Sequence, residues 1–307
     1  MTNKLKYGII GAGHLGNYHA QQLNNINGVK LIGVFDLEQE KAEEFSKIYS
    51  IKHYAALKNL LTACDAVSIT APASAHFESA RLALLAGCHV FVEKPFTHKI
   101  DEAKKLIKLN NKQGLKVQVG HIERFNAAFV NYINNVPHPI FIESHRLCSY
   151  NDRGLDVDVI LDLMIHDIDL ILRLNNFPVK SIVASGASIL TSSLDMATAR
   201  IEFVNKVAAN ITASRISLKQ MRQMRVFEKN SYSVIDFQKQ SVQRWSINKK
   251  NLKEQKIFTK KNNPLYEELK LFINSIQNDL PVVVTSKDAL NALEVACQIQ
   301  QIIEEKK

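Results

Sequence analysis

Hydrophobic and polar positions divide the chain into two patterns. Up to about residue 120, short apolar runs rich in Val and Ile alternate with longer segments of helical periodicity. "KYGIIGAG" reads as a strand, the stretch from about His14 to Asn25 as a helix, "VKLIGVFD" as a strand and "LEQEKAEEFSKIY" as a helix. The alternation continues through "DAVSITAP", "SAHFESARLALLAG", "HVFVEKPF", "KIDEAKKLIKLNNKQG" and "KVQVGHI". Short apolar runs without strict two-residue alternation suit strands covered on both faces. A βαβα series of this kind implies a parallel sheet with helices on both sides.

After residue 121 the pattern changes. "FNAAFVNYINN" reads as a helix and "PIFIESHRL" as a strand. From Val179 to about Thr259 come alternating segments, "KSIVASGASI", "MATARIEFV", "KVAANITASRIS", "MRVFEKN", "YSVIDF" and "SVQRWSI". Strands in succession without helices between them imply an antiparallel sheet. Two helices close the chain, around "PLYEELKLFINSIQN" and "DALNALEVACQIQQIIEE". The expected organisation is an α/β domain with a parallel sheet over residues 1–120, followed by an α+β domain with a mostly antiparallel sheet over residues 121–307.

One apolar segment carries too many charges for an ordinary buried helix. "VILDLMIHDIDLIL", residues 159–172, contains Asp162, His166, Asp167 and Asp169. At 100° per residue, positions 162, 166 and 169 share a face. Burying ionisable groups is costly unless they are paired or chemically used, so this face is either a satisfied structural cluster or part of a site.

Composition narrows the classes. The 307 residues suit two domains, with 46% hydrophobic and 22% charged residues, as in an ordinary globular protein. No stretch is long and uncharged enough to span a membrane, and "MTNKLKYGII" lacks the pattern of a signal peptide, so a cytoplasmic location is expected. Cys64, Cys88, Cys148 and Cys297 form no CxxC pair and are expected to be buried or inert thiols. The net charge of +9 is spread over the chain: residues 1–120 hold 15 basic against 10 acidic residues, and the remainder 24 against 20. That distribution argues against a nucleic-acid partner, which would require a concentrated patch.

The chemistry begins at "GAGHLG". Gly11, Gly13 and Gly16 have the GxGxxG spacing, after a strand and at the start of a helix that includes His14 and Leu15. Gly11 permits a tight turn, Gly13 lets a pyrophosphate approach the backbone, and Gly16 allows close helix–strand packing. Asp36, 25 residues after Gly11, ends the second strand, where a carboxylate accepts hydrogen bonds from ribose hydroxyls. Leu37 and Glu38 follow, with no Arg to receive a 2′-phosphate, so NAD is favoured over NADP. "TAPASAH", with Thr70, Pro72 and His76, and "VEKPF", with Glu93, Lys94 and Pro95, lie at the carboxyl ends of further strands. Ligands of open α/β sheets bind at those ends.

Together, "GAGHLG", "TAPASAH", "VEKPF" and the series Asp162, His166, Asp169 resemble the Gfo/Idh/MocA family over nearly the whole chain. The resemblance implies a Rossmann domain followed by an α+β domain with a large open sheet, NAD(P) binding, and action on a sugar or cyclitol. It maps a catalytic lysine onto Lys94, a catalytic histidine onto His166 and the preceding aspartate onto Asp162. It places Gly11, Gly13, His14, Leu15, Gly16, Asp36, Thr70, Pro72, His76, Glu93 and Lys94 at the cofactor. It also implies a homodimer or homotetramer formed through the open sheet. A metal site built from Asp162, His166 and Asp169 is not expected.

A finer resemblance rests on "VGHIERFNAA", "ESHR" and "RGLDVDVILDLMIHDIDL". These segments are similar to the branch of the family that acts on UDP-N-acetylglucosamine, which implies oxidation of the 3-hydroxyl to a 3-keto sugar nucleotide. Arg124, Asn126 and Arg153, with Asp162 and His166, are the expected substrate contacts; the plainer reading makes Glu123 and Arg124 an interdomain salt bridge. The chain departs from the pattern at Ala127, where such relatives often have Pro, and at Met164, in a stretch where many relatives carry glycine. The alternatives are a dehydrogenase of a free sugar, cyclitol or small carbonyl compound, and a non-catalytic NAD-binding regulatory protein.

Overall fold

The computed structural model describes residues 4–135, 137–150, 157–248, 251–257 and 259–306. It divides into two compact units, Met1–His121 with Leu265–Leu290, and Ile122–Pro264 with Asn291–Lys307.

The first unit opens with β1 (Leu5–Ile10), α1 (His14–Leu23), β2 (Val29–Phe35), α2 (Gln39–Tyr49), β3 (Lys52–His53) and α3 (Leu57–Ala63). It continues with β4 (Ala66–Ile69), α4 (His76–Leu85), β5 (His89–Glu93), α5 (Ile100–Gln113) and β6 (Val117–Gly120). The sheet is parallel in the order β3-β2-β1-β4-β5-β6. The order reverses between β1 and β4, which opens a crevice at their carboxyl ends. Ile9, Val67, Ile69, Val90 and Val92 have no exposed surface, as strands covered on both faces require. The helices carry their own stop signals: α5 has Asp101 and Glu102 in its first turn, Lys112 in its last, and ends on Gly114 at φ +67°. Acid at the start and base at the end complement the helix dipole, and glycine takes the left-handed cap without strain. The two-residue β3 and the short α3 were not legible in the pattern.

The second unit contains α6 (Ala127–Ile133), β7 (Pro139–Leu147), α7 (Ile165–Leu174), β8 (Val179–Ala187), β9 (Met196–Phe203), β10 (Ala208–Ser214), β11 (Met221–Glu228), β12 (Ser231–Asp236), β13 (Ser241–Asn248) and β14 (Asn251–Ile257). Its sheet runs β14-β13-β12-β11-β7-β10-β9-β8, antiparallel except where β7 pairs with β10. One face is the core: Ile142, Ala197, Ile201, Ala209, Ile211, Met224, Val226 and Ile235 have no exposed surface. α7 contacts β7 and β10. On the other face, Phe141, Phe227, Tyr232 and Trp245 form a row across four strands, with successive ring centroids 5.7, 4.9 and 5.1 Å apart.

The last two helices are α8 (Pro264–Gln277) and α9 (Ser286–Glu304). Both were expected in the second domain, with residues 121–307. Instead the first unit takes residues 265–290. Leu269, Phe272 and Ile273 form one apolar stripe of α8 within the first unit's core. The Phe272 ring lies 6.5 Å from that of Tyr7 and 5.7 Å from that of Phe91. Burying one such ring is worth roughly 1.5–3 kcal/mol, enough to decide which core the helix joins. Among the described residues, no helix is long and apolar enough to cross a membrane. The four cysteines are free, and burial pushes the Cys64 thiol up to about 12 and that of Cys88 to about 11, so both stay protonated and unreactive near neutral pH.

Candidate active site

In the first unit, the glycine turn after β1 shapes the cofactor surface. Gly11 has φ +105°, and a Cβ there would stand 2.6 Å from Ala71 N, so no side chain fits. A Cβ at Gly16 would collide with the Gly11 carbonyl oxygen. Gly13 is exposed and has nothing within 4 Å of the place its Cβ would take. α1 starts at His14 without a side-chain cap, so the first-turn amides, those of Leu15 and Gly16 among them, are available to an anion. Asp36, at the end of β2, accepts the Ala12 amide at 2.7 Å through Oδ2 and the Glu38 amide at 2.9 Å through Oδ1. Each oxygen keeps a lone pair, in a carboxylate fixed beside the glycine turn. The donor-lined turn, the open position at Gly13 and the pinned carboxylate fit the pyrophosphate and ribose of a dinucleotide.

Other residues expected at the cofactor hold the surface from below. The Thr70 hydroxyl donates to the Gly11 carbonyl oxygen at 2.9 Å, tying β4 to the turn. His76 is 1% exposed, with Nδ1 2.8 Å from the Pro95 carbonyl oxygen and Nε2 2.9 Å from that of Ala71. Through their side chains, Thr70 and His76 thus brace the glycine turn and the segments at Ala71 and Pro95. Pro72 is exposed, and Glu93 and Lys94 are half-buried at the carboxyl end of β5. Glu93 Oε1 lies 2.9 Å from Nε2 of the fully buried His19. Burial pushes the Glu93 carboxyl up, but the His19 hydrogen bond and the charges of His19, Lys94 and His76 outweigh it and hold it below the usual range. Sequence reasoning missed His19; the available signal was a histidine on the inner face of the first helix.

In the second unit, one π-helical turn over Ile160–Met164 runs into α7. Asp158 begins it, accepting the Ile160 and Leu161 amides through Oδ1 at 3.0 and 3.1 Å. The wider turn divides the expected polar face. Asp162 and His166 are half-buried, whereas Asp167 and Asp169 are each 1% exposed.

Those two buried aspartates are paired. Arg124 donates to Asp169 through Nε at 2.7 Å and Nη2 at 2.6 Å. Arg146 donates to Asp167 through Nε at 2.7 Å and to Glu123 through Nη1 at 2.9 Å. Ser144 adds a 2.7 Å bond to Asp167. Asn126 caps α6 and donates to Glu123 and to the Phe237 carbonyl oxygen, both at 3.0 Å. Arg124 and Asn126, expected to touch substrate, make these bonds within the second unit, where Glu123 and Arg124 each find their ion-pair partner. Arg153, also expected at the substrate, lies outside the described residues. Among the described residues, no group of three His, Cys, Asp or Glu side chains is placed to hold a metal ion.

Residues 5–121 match the model of the Gfo/Idh/MocA oxidoreductase family with an NAD-binding Rossmann fold, and residues 117–231 match a C-terminal domain of the same family. The chain is 34% identical to UDP-N-acetylglucosamine 3-dehydrogenase of Acidithiobacillus ferrooxidans, over 98% of this chain and 97% of that one. A solved structure of that enzyme superposes with a TM-score of 0.93 over 98% of each chain. Glucose-6-phosphate 3-dehydrogenase of Bacillus subtilis is 32% identical over 42% of this chain and 36% of its own. The apo scyllo-inositol dehydrogenase of Lactobacillus casei, at 22% identity, shares the fold with a TM-score of 0.81 over 100% of this chain and 98% of its own. With the glycine turn, the pinned Asp36 and both domain matches in place, the chain belongs to the Gfo/Idh/MocA family of NAD-binding oxidoreductases.

Proposed function

We propose that the chain is an NAD-dependent dehydrogenase that oxidises the 3-hydroxyl of UDP-N-acetylglucosamine to the 3-keto sugar nucleotide. The observation that carries this reading is 34% identity over 98% of the chain to an enzyme of that name. The half-buried Asp162 and His166 on one helical stretch, and Lys94 at a strand end, supply the residue types the reaction needs.

In this reading His166 takes the hydroxyl proton, since imidazole is the side chain suited to proton traffic near neutral pH. Asp162 orients the imidazole or the sugar. Lys94 donates a hydrogen bond to the developing alkoxide. NAD, when bound, supplies the hydride acceptor. The C–H bond yields a hydride, the O–H bond yields a proton to His166, and the carbonyl remains. Asp36, with Leu37 and Glu38 beside it, favours NAD over NADP.

The uncovered sheet face with its aromatic row suits a homodimer or homotetramer. NAD and sugar nucleotides are both cytoplasmic metabolites, which suits a cytoplasmic enzyme. The test is incubation of pure protein with NAD and UDP-N-acetylglucosamine in the presence of a carbonyl trap. NADH formation with a trapped 3-keto sugar supports the reading. Efficient oxidation of a free sugar or cyclitol with no trapped sugar nucleotide replaces it, and NAD binding without turnover of any of these substrates makes the protein a binder.

A further inference from the structure

Arg215 immediately follows β10 in the second unit and is 4% exposed. Its backbone is held by the amide, which donates to the Asp195 carbonyl oxygen at 2.9 Å, while the guanidinium donates from Nη2 to the Val157 carbonyl oxygen at 2.9 Å. Nε and Nη1 are buried and have no hydrogen-bond partner among the described residues. The buried Arg124 and Arg146 both have carboxylate partners. A buried guanidinium without a carboxylate is expensive. The fold retains that cost beside the turn that carries Asp162: Nη2 of Arg215 bonds Val157, one residue before the Asp158 that begins that turn, and the charges of Asp162, Arg222, Arg215 and Arg146 all act on the Cys148 thiol. Arg146 is balanced by Asp167 and Glu123, which leaves two arginines, Arg215 and Arg222, against the one carboxylate of Asp162.

We propose that Arg215 is a substrate-binding residue whose unused N–H groups receive phosphate oxygens of the sugar nucleotide. This rests on the sugar-nucleotide reading above and assigns one side chain to its anionic part. The unused N–H groups lie on two edges of the guanidinium plane, which suits an acceptor that presents several oxygens, as a diphosphate does. The long side chain lets the guanidinium turn toward such a ligand, with the backbone held by Asp195 and β10. A phosphate pairing there would satisfy N–H groups that have no acceptor among the described residues.

The test compares wild type with Arg215→Met and Arg215→Lys in the presence of NADH, reading calorimetric Kd for UDP-N-acetylglucosamine and for UDP, together with Tm. Arg215→Met keeps the apolar stem and removes the unpaired charge. The expected result is a Kd about 10- to 100-fold higher for both ligands, the range for losing a charge-assisted hydrogen bond, with Tm unchanged or raised. Arg215→Lys should recover part of the affinity. Unaltered Kd in Arg215→Met overturns the assignment and leaves the sugar-nucleotide reading standing. A fall in both Tm and affinity that Arg215→Lys does not relieve makes Arg215 structural and also overturns it. If wild type neither binds nor oxidises UDP-N-acetylglucosamine, that reading fails. The assignment is then decided by inorganic pyrophosphate: weaker binding in Arg215→Met keeps it, and equal binding removes it.

Discussion

His19 Nε2 stands 2.9 Å from Glu93 Oε1, and this contact joins the middle of α1 to the end of β5. His19 Nδ1 lies 3.0 Å from Ser68 Oγ, which lies 3.0 Å from Tyr7 Oη. The polar chain is buried beneath the residue that precedes Lys94. It holds the strand end from below, while a Cβ at Gly120 would come within 2.8 Å of Glu93 Oε2 from the β6 side. If Lys94 acts as proposed, His19 is a positioning residue for it. In His19→Ala, turnover is expected to fall by up to about a hundredfold, the scale of a misplaced catalytic group, with the KM for NAD nearly unchanged. His19→Gln keeps a donor for Glu93 and should restore much of the loss. Full turnover in His19→Ala would dismiss the role.

The catalytic assignment predicts a larger effect. Lys94→Ala and His166→Ala should each lower kcat by about two to four orders of magnitude. The Kd for NADH should change little in His166→Ala. Near-wild-type turnover in both variants would remove the site.

Asp36 is expected to set cofactor choice. Its carboxylate is fixed by two backbone amides and would repel a 2′-phosphate. Wild type should show a higher kcat/KM with NAD than with NADP, and Asp36→Ala should narrow the ratio. A wild-type preference for NADP contradicts this.

The Arg124–Asp169 pair separates scaffold from substrate contact. Its two hydrogen bonds are 2.6 and 2.7 Å, with side-chain exposures of 6% and 1%. Arg124→Met strands a buried carboxylate and should cost about 3–5 kcal/mol of stability. The double variant Arg124→Met with Asp169→Leu should recover much of that in a denaturant melt. If Arg124→Met melts like wild type but raises the substrate KM, Arg124 belongs to the site after all.

Acid stability has a named contributor. Asp195 is fully buried and accepts the Ile189, Leu190 and Thr191 amides and the Thr191 hydroxyl. Burial pushes its carboxyl up, but these donors outweigh burial and hold it far below the usual range. A carboxyl depressed in the folded state adds stability that is fully present above its unfolded pKa of about 4 and is lost as pH falls. Asp195→Asn should therefore be less stable than wild type by about 2–3 kcal/mol at pH 7. The gap should begin to narrow at about pH 4 and keep narrowing as pH falls toward the far lower folded-state value. A gap independent of pH would assign the loss to packing.

What was legible in the sequence was what the backbone or local spacing dictates. Gly11 and Gly16 are required by contacts within a few residues of themselves or at the next strand, so their motif carries them. The alternation of the second half revealed the antiparallel sheet but not β14, since "NLKEQKI" is a lysine-bearing edge strand whose polar positions mask its pairing. For Arg124 and Asn126, residue type shows hydrogen-bonding capacity, not the partner. The carboxylate that claims Arg124 lies 45 residues away. Arg215 is one of several cations in the second half of the sequence that could meet a diphosphate; what sets it apart, the acceptors it lacks among the described residues, is visible only in the structure.

α8 also bears on how the protein is made. The chain leaves the first unit at residue 121, returns at 265 and leaves again after 290. A domain emerging from the ribosome normally folds once its own segment is free. Here the dinucleotide-binding unit begins translation first yet cannot close its core until Phe272 arrives to pack on Tyr7 and Phe91. Its β-strands must wait through the synthesis of the whole second sheet with one side of their core uncovered. A nascent chain stalled before residue 265 would expose that surface to chaperones, so competence for the cofactor is a property of the nearly finished polypeptide.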